Sequence, residues 1–211
     1  MTKLISEEDV VKAIQRGSKV IVAEKGSIIT PLALDMIRSK KLTIIEKEIH
    51  NYSSSFSVNY PFKKIAIGSD HTGFKVKNIL IKYLTEKSYH VYDLGTMDEK
   101  SCDYPDFAEA VSEKVQLGKV DCGFIIDATG IPSAITANKL EGIRAATCYN
   151  EFSAKSARSH NDANVLVLGA KTLGEETIKS IVDVWLNTSF EGGRHQRRLD
   201  KITGIERKYK S

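Results

Sequence analysis

The sequence predicts an α/β protein: a doubly wound, five-stranded parallel sheet in a Rossmann-like three-layer arrangement, with a small N-terminal α/β extension. Three observations predict it. From residue 63 onward, short apolar runs at Ile65–Ile67, Val91–Leu94, Phe124–Ile126, Ile143–Thr147 and Val165–Leu168 alternate with helix-like stretches, the pattern that parallel strands joined by helical crossovers produce. Polar residues cluster after the runs, where the carboxyl ends of strands in an open sheet border a ligand crevice. A serine-rich segment, 51–61, marks a shift in composition and a domain boundary. The expected organisation is therefore 1–62 as extension and linker, and 63–211 as the main domain.

In the extension, Ser6 precedes Glu7, Glu8 and Asp9 and then Val10, Val11 and Ile14, which reads as a capped helix with acids in its first turn. Gly17 ends it, and Lys19–Val22 makes a short strand. Thr30-Pro31 supplies a cap and a first-turn proline for a second helix bearing Leu32, Leu34, Met36 and Ile37. A last strand is expected at Leu42–Ile45. In the main domain a helix follows the first strand as far as Glu86, and Pro105 opens another with Phe107, Ala108 and Val111 on one face. Further helices are expected after Asp127, from Glu151, over Glu175–Leu186, and after Gly193.

Composition bounds the function classes. The chain has 211 residues, 41% hydrophobic and 27% charged, ordinary for a globular protein with a sizeable core. No apolar run approaches the ~20 residues that span a bilayer, and the acids at Glu7, Glu8 and Asp9 are wrong for a secretory or transit signal. No membrane association is expected, and the expected location is cytoplasmic. Cys102, Cys122 and Cys148 are odd in number and lack C-x-x-C spacing, so neither a disulfide framework nor a metal site is indicated. The net charge of +4 is concentrated in residues 194–211, without aromatic interleaving. That favours a local anion site over nucleic acid. No G-x-G-x-x-G or Walker loop is present, so no nucleotide cofactor is expected.

Candidate chemistry centres on Asp127, where an apolar run stops at a carboxylate. Thr129 and the N–H groups around Gly130 stand at the following helix start, where orphan donors favour an anion. The plain alternative is that Asp127 caps the helix and Thr129-Gly130 forms its turn. Asp70-His71, Asp103-Tyr104-Pro105, His160-Asn161-Asp162 and the run Gly192–Arg198 are the other polar clusters. Arg194 and Arg198 are four apart, on one helix face, and can grip a phosphate with two guanidinium forks.

Gly68-Ser-Asp70-His71-x-Gly73, Asp103-Tyr104-Pro105, Ala137-Asn138-Lys139, His160-Asn161-Asp162-x-Asn164-Val165 and Glu191-Gly192-Gly193-Arg194-His195-Gln196-x-Arg198 together resemble ribose-5-phosphate isomerase type B and the galactose-6-phosphate isomerase subunits, over roughly Lys63 to Lys208. The resemblance implies a cofactor-free, metal-free aldose–ketose phosphate isomerase, a homodimer or tetramer whose sites combine residues of two subunits. It implies His160 as the ring-opening acid/base, and Arg194 and Arg198 as phosphate ligands with help from His71. Asp70, Tyr104 and Asn161 are implied to contact the sugar. The family's usual loop is Cys-Gly-Thr-Gly-x-Gly-x-Ser, with the cysteine as base; this chain has Asp127-Ala128-Thr129-Gly130-Ile131-Pro132-Ser133-Ala134. Asp127 is expected as a substitute base, with Thr129 as a further catalytic residue and Gly130 contacting substrate, while Pro132 removes an N–H and so alters any oxyanion hole. The Asp-Ala start also resembles the A subunit of heteromeric galactose-6-phosphate isomerase, so the alternative is a non-catalytic sugar-phosphate-binding or partner subunit. The stretch Gly26-Ser-Ile-Ile-Thr30-Pro31-Leu-Ala-Leu-Asp35 resembles N-terminal segments of bacterial microcompartment enzymes, including ethanolamine-utilisation proteins. It implies docking to a microcompartment shell, with a small stabilising extension as the alternative.

Overall fold

The computed structural model describes residues 4–15, 20–24, 27–47 and 62–209. The chain divides into two compact units, Met1–Val58 and Asn59–Ser211. Gly17, Gly26 and the serine-rich 51–61 segment lie outside the described residues.

The N-terminal unit contains β1 (Leu4–Ile5), α1 (Glu7–Gln15), β2 (Val20–Glu24), β3 (Ile28–Ile29), α2 (Pro31–Ser39) and β4 (Thr43–Lys47). β1 pairs with β3 and β2 with β4, both parallel. The two-residue strands β1 and β3 were beyond reach of the sequence pattern, because a period needs more residues than they have. Thr30 has three contacts at the start of α2. Its N–H donates to Ile5 O (3.0 Å), its Oγ1 accepts the Ala33 N–H (3.2 Å), and its hydroxyl donates to Glu7 (3.3 Å). Val10, Ile21, Ala23, Ala33 and Ile37 close a small core. Within the stretch 26–35, Thr30, Pro31 and Ala33 are thus accounted for by capping and packing.

The second unit runs β5 (Lys64–Ser69), α3 (Phe74–Glu86), β6 (His90–Asp93), α4 (Tyr104–Gln116), β7 (Cys122–Asp127), α5 (Ile131–Ala137), β8 (Ala145–Thr147), α6 (Glu151–Asn161), β9 (Val165–Gly169), α7 (Glu175–Leu186) and α8 (Arg194–Lys208). Its five strands are all parallel, in the order β6-β5-β7-β9-β8. Strand residues alternate between two cores, as a period of two requires. Phe124, Ile126, Leu166 and Leu168 pack with Leu80 of α3 and Trp185 of α7 on one face. Ile125, Val165 and Val167 pack with Val111 of α4 and Ala137 of α5 on the other. Helices on both faces bury the central strands β5, β7 and β9 almost from end to end, while the edge strands β6 and β8 are only partly covered. The strand order reverses between β5 and β7, which makes the carboxyl ends of that pair the topological switch point where such folds bind ligands.

Candidate active site

Two neighbouring strands end in the same device at the switch point. Asp70 Oδ1 accepts the Thr72 N–H (2.9 Å), the Thr72 hydroxyl (2.6 Å) and the Gly73 N–H (3.0 Å). Asp127 Oδ1 accepts the Thr129 N–H (2.8 Å) and the Gly130 N–H, while Oδ2 accepts the Ser133 N–H (3.1 Å). In both, a short carboxylate folds back onto the amides two and three residues ahead, a turn chemistry that Asp favours. Gly73 is required because a Cβ there would fall 2.6 Å from Ile126 O. Gly130 adopts φ 81°, and a Cβ would meet Thr147 Cγ2 at 2.6 Å.

This geometry changes the expected role of the loop amides. The donors at the start of α5 are occupied from within: the amides of 129, 130 and 133 go to Asp127, the Ile131 N–H goes to Thr129 Oγ1 (3.3 Å), and Pro132 has none. The anion seated in this loop is the protein's own carboxylate, and Asp127 is only 1% exposed. Asp127 thus holds the Thr129-Gly130 turn and, through Ser133, the first turn of α5. Oδ2 carries one donor where Oδ1 carries two, so Oδ2 keeps acceptor capacity. Thr129 Oγ1 accepts from Ile131 and retains its own O–H for donation.

His71 is fixed by the loop that precedes α4. The Cys102 N–H donates to His71 Nδ1 (3.3 Å), and the Cys102 Sγ lies 3.9 Å from the same nitrogen. An accepting Nδ1 places the ring proton on Nε2, the nitrogen left to act as a donor. Tyr104, the first residue of α4, is exposed beside this loop. The buried thiols are poor substitutes for the family's cysteine base: burial pushes Cys148 up to about 11, against a hydrogen bond from Ser153, and pushes Cys122 up strongly.

His160, Asn161, Arg194 and Arg198 are somewhere else. α6 runs back against the strands, so its last turn, with His160 and Asn161, leads into the first residue of β9 at the amino edge of the sheet. The Glu191 N–H donates to Ser159 O (2.9 Å) and carries the start of α8 to the same edge. Asp127 pairs with Gly169, at the far end of β9. At about 3.3 Å per residue, a five-residue strand separates the two groups by about 16 Å. The sequence-predicted residues therefore fall into two groups: Asp70, His71, Tyr104, Asp127, Thr129 and Gly130 lie at one edge, and His160, Asn161, Arg194 and Arg198 at the other.

At the amino edge the His160 and His195 rings are stacked, with centroids 4.3 Å apart and planes within 4°. Ser156 Oγ lies 3.2 Å from His160 Nδ1, and Glu191 Oε2 lies 3.9 Å from His160 Nε2 and 3.7 Å from His195 Nε2. His195 is buried, and its pKa is lowered by burial first and then by the neighbouring His160, Arg194 and Arg198 charges, with Glu191 opposing. His160, Glu191 and His195 sit close enough to suggest metal ligands, but parallel ring planes leave the two Nε2 lone pairs side by side rather than converging on a tetrahedral ion. Arg194 and Arg198 are exposed, and neither is ion-paired among the described residues. His195 and Glu191 were visible in the sequence only as a spacing of four within a motif.

Residues 65–202 match the family model described as Ribose/Galactose Isomerase. The chain belongs to this family. Ribose-5-phosphate isomerase B of Escherichia coli (strain K12) is 46% identical over 146 residues, covering 69% of this chain and 98% of that protein. Among solved structures, the ribose-5-phosphate isomerase B of Clostridium thermocellum superposes with a TM-score of 0.69 at 47% identity, over 69% of this chain and 99% of that one. The Mycoplasma genitalium ribose-5-phosphate isomerase B with bound ribulose-5-phosphate gives a TM-score of 0.66 at 42% identity, over 68% and 96%. The family match begins at β5 and leaves the N-terminal unit outside it.

Proposed function

We propose that the chain is a cofactor-independent aldose–ketose isomerase that interconverts ribose 5-phosphate and ribulose 5-phosphate through an enediolate, in sites each built by two copies. The observation that carries this reading is the division of one family's motif set between opposite edges of a single sheet. A second copy brings the amino edge of one chain to the carboxyl edge of the other. This supports a homodimer, or a tetramer of such dimers.

In this reading Arg194 and Arg198 of one copy hold the phosphate through charge-assisted bonds, and His71 Nε2–H of the other assists. His160 opens the furanose by moving a proton between the ring oxygen and the anomeric hydroxyl. Asp127 Oδ2 removes the C2 proton of the open aldose as the carbonyl O1 becomes the enediolate oxygen, the O2 proton passes to O1, and the same carboxyl, after exchanging its proton with solvent, delivers one to C1 as the C2 carbonyl forms. Thr129 O–H donates to the enediolate oxygen. Asp70, Tyr104 and Asn161 contact the sugar hydroxyls.

The occupied amides of the Asp127 loop favour a second reading, a partner subunit that binds sugar phosphate and gains turnover only with a cysteine-bearing homologue. One experiment separates the two. The purified full-length chain in D2O with ribose 5-phosphate is expected to form ribulose 5-phosphate with solvent deuterium at C1. Binding without exchange would transfer the argument to the second reading.

The N-terminal unit has its own core and lies outside the family match, which supports a role in location, including docking to a microcompartment shell. Among the described residues no helix is long and apolar enough to cross a membrane. A cytoplasmic enzyme, enclosed where that docking occurs, fits both observations.

A further inference from the structure

His195 is a buried histidine to which the proposed reaction assigns no part, yet it touches two groups that the reaction uses. Its face covers the ring of His160 at 4.3 Å. Its Nε2 accepts the Arg194 Nε–H at 3.4 Å. An accepting Nε2 means a neutral ring with its proton on Nδ1, and burial beside Arg194, Arg198 and His160 disfavours the charged form. Glu191 is the acidic group facing the pair, and Ser156 fixes the other nitrogen of His160.

We propose that His195 is a positioning residue that couples the proton carrier to the phosphate grip: its face sets the plane of His160, and its Nε2 holds the Arg194 guanidinium by Nε alone. The two Nη groups of Arg194 are then left to the phosphate, aimed from the same buried ring that aims His160. This rests on the isomerase reading above, and it predicts that the two tasks of His195 can be separated by substitution. His195→Phe keeps a flat face against His160 and removes the acceptor for Arg194. His195→Leu fills the space with neither.

Steady-state kinetics of the full-length protein with ribose 5-phosphate test this. His195→Phe is expected to keep kcat within about threefold of the parent while KM rises about fivefold, the worth of one ordinary hydrogen bond. His195→Leu is expected to raise KM similarly and to lower kcat by at least about tenfold, because a misplaced acid/base group loses its orientation. A structural role alone would give the two variants the same kinetics, so equal losses, or no loss in either, overturn the proposal. A second readout needs no turnover. In the substrate-free protein the Hε1 proton of His160 should be shifted upfield by the stacked ring, remain so in His195→Phe, and move downfield in His195→Leu. If the parent protein shows no isomerisation, the isomerase reading fails by itself; if His160 Hε1 is the same in all three proteins, the positioning role fails whatever the activity.

Discussion

At the residue scale, Asp127 has two tasks in this account, anchoring its loop and carrying a proton. Asp127→Asn presents an amide NH2 or leaves an N–H of the loop unpaired, which costs about 1–3 kcal/mol. The expected outcome is a lower urea midpoint, loss of C1 deuterium incorporation, and retained sugar-phosphate binding. Calorimetric titration checks the phosphate grip: Arg194→Ala should weaken binding at least about tenfold, since charge-assisted bonds are worth ~1.5–3 kcal/mol, whereas exposed Arg197→Ala, on another face of α8, should change little. His195 supplies a pH dependence. Its folded-state pKa is lowered, so the unfolded chain takes up a proton near ~6.5 that the folded chain does not. Stability should then fall as pH drops below ~6.5, and the difference in urea midpoint between pH 7.5 and 5.5 should shrink in His195→Phe. The sequence disclosed that Asp127 terminates a strand. It could not disclose that its oxygens turn back to 129, 130 and 133, because a cap and an exposed base share the same residue type and spacing.

At the scale of elements, the helices and the central strands were legible because their apolar period is long enough to count. α7 occupies the expected Glu175–Leu186, and α6 begins at the expected Glu151. Thr30-Pro31 was legible as a helix start, and Thr30→Ala should cost about 1 kcal/mol and speed hydrogen exchange in the first turn of α2. What the sequence withheld was the contact between the His160 and His195 rings, which joins residues far apart in the chain and leaves no local pattern. Ile202 and Ile205 of α8, and Tyr209 just after it, are exposed along a groove of about 800 Å³ that Arg144, Asn161 and Leu199 also line. Apolar side chains exposed along one helix mark an interaction surface. Ile202→Glu is therefore expected to shift the protein toward monomer by light scattering and to lower activity in step with the monomer fraction.

For the whole molecule, the N-terminal unit and the sheet domain each have a core, so removal of residues 1–58 should leave the sheet domain folded, oligomeric and active. An insoluble or monomeric product would end the idea that the unit serves location. The central claim is that each site takes Asp127 from one copy and His160 from another. Asp127→Asn and His160→Ala are each expected to be inactive as pure proteins. Mixed in equal amounts with full subunit exchange, half of the dimers are hybrids, and one of the two sites in each hybrid has both native residues. The account predicts recovery of about a quarter of the parent activity on mixing; a mixture that exchanges subunits, as shown by mass spectrometry, yet stays inactive would contradict it.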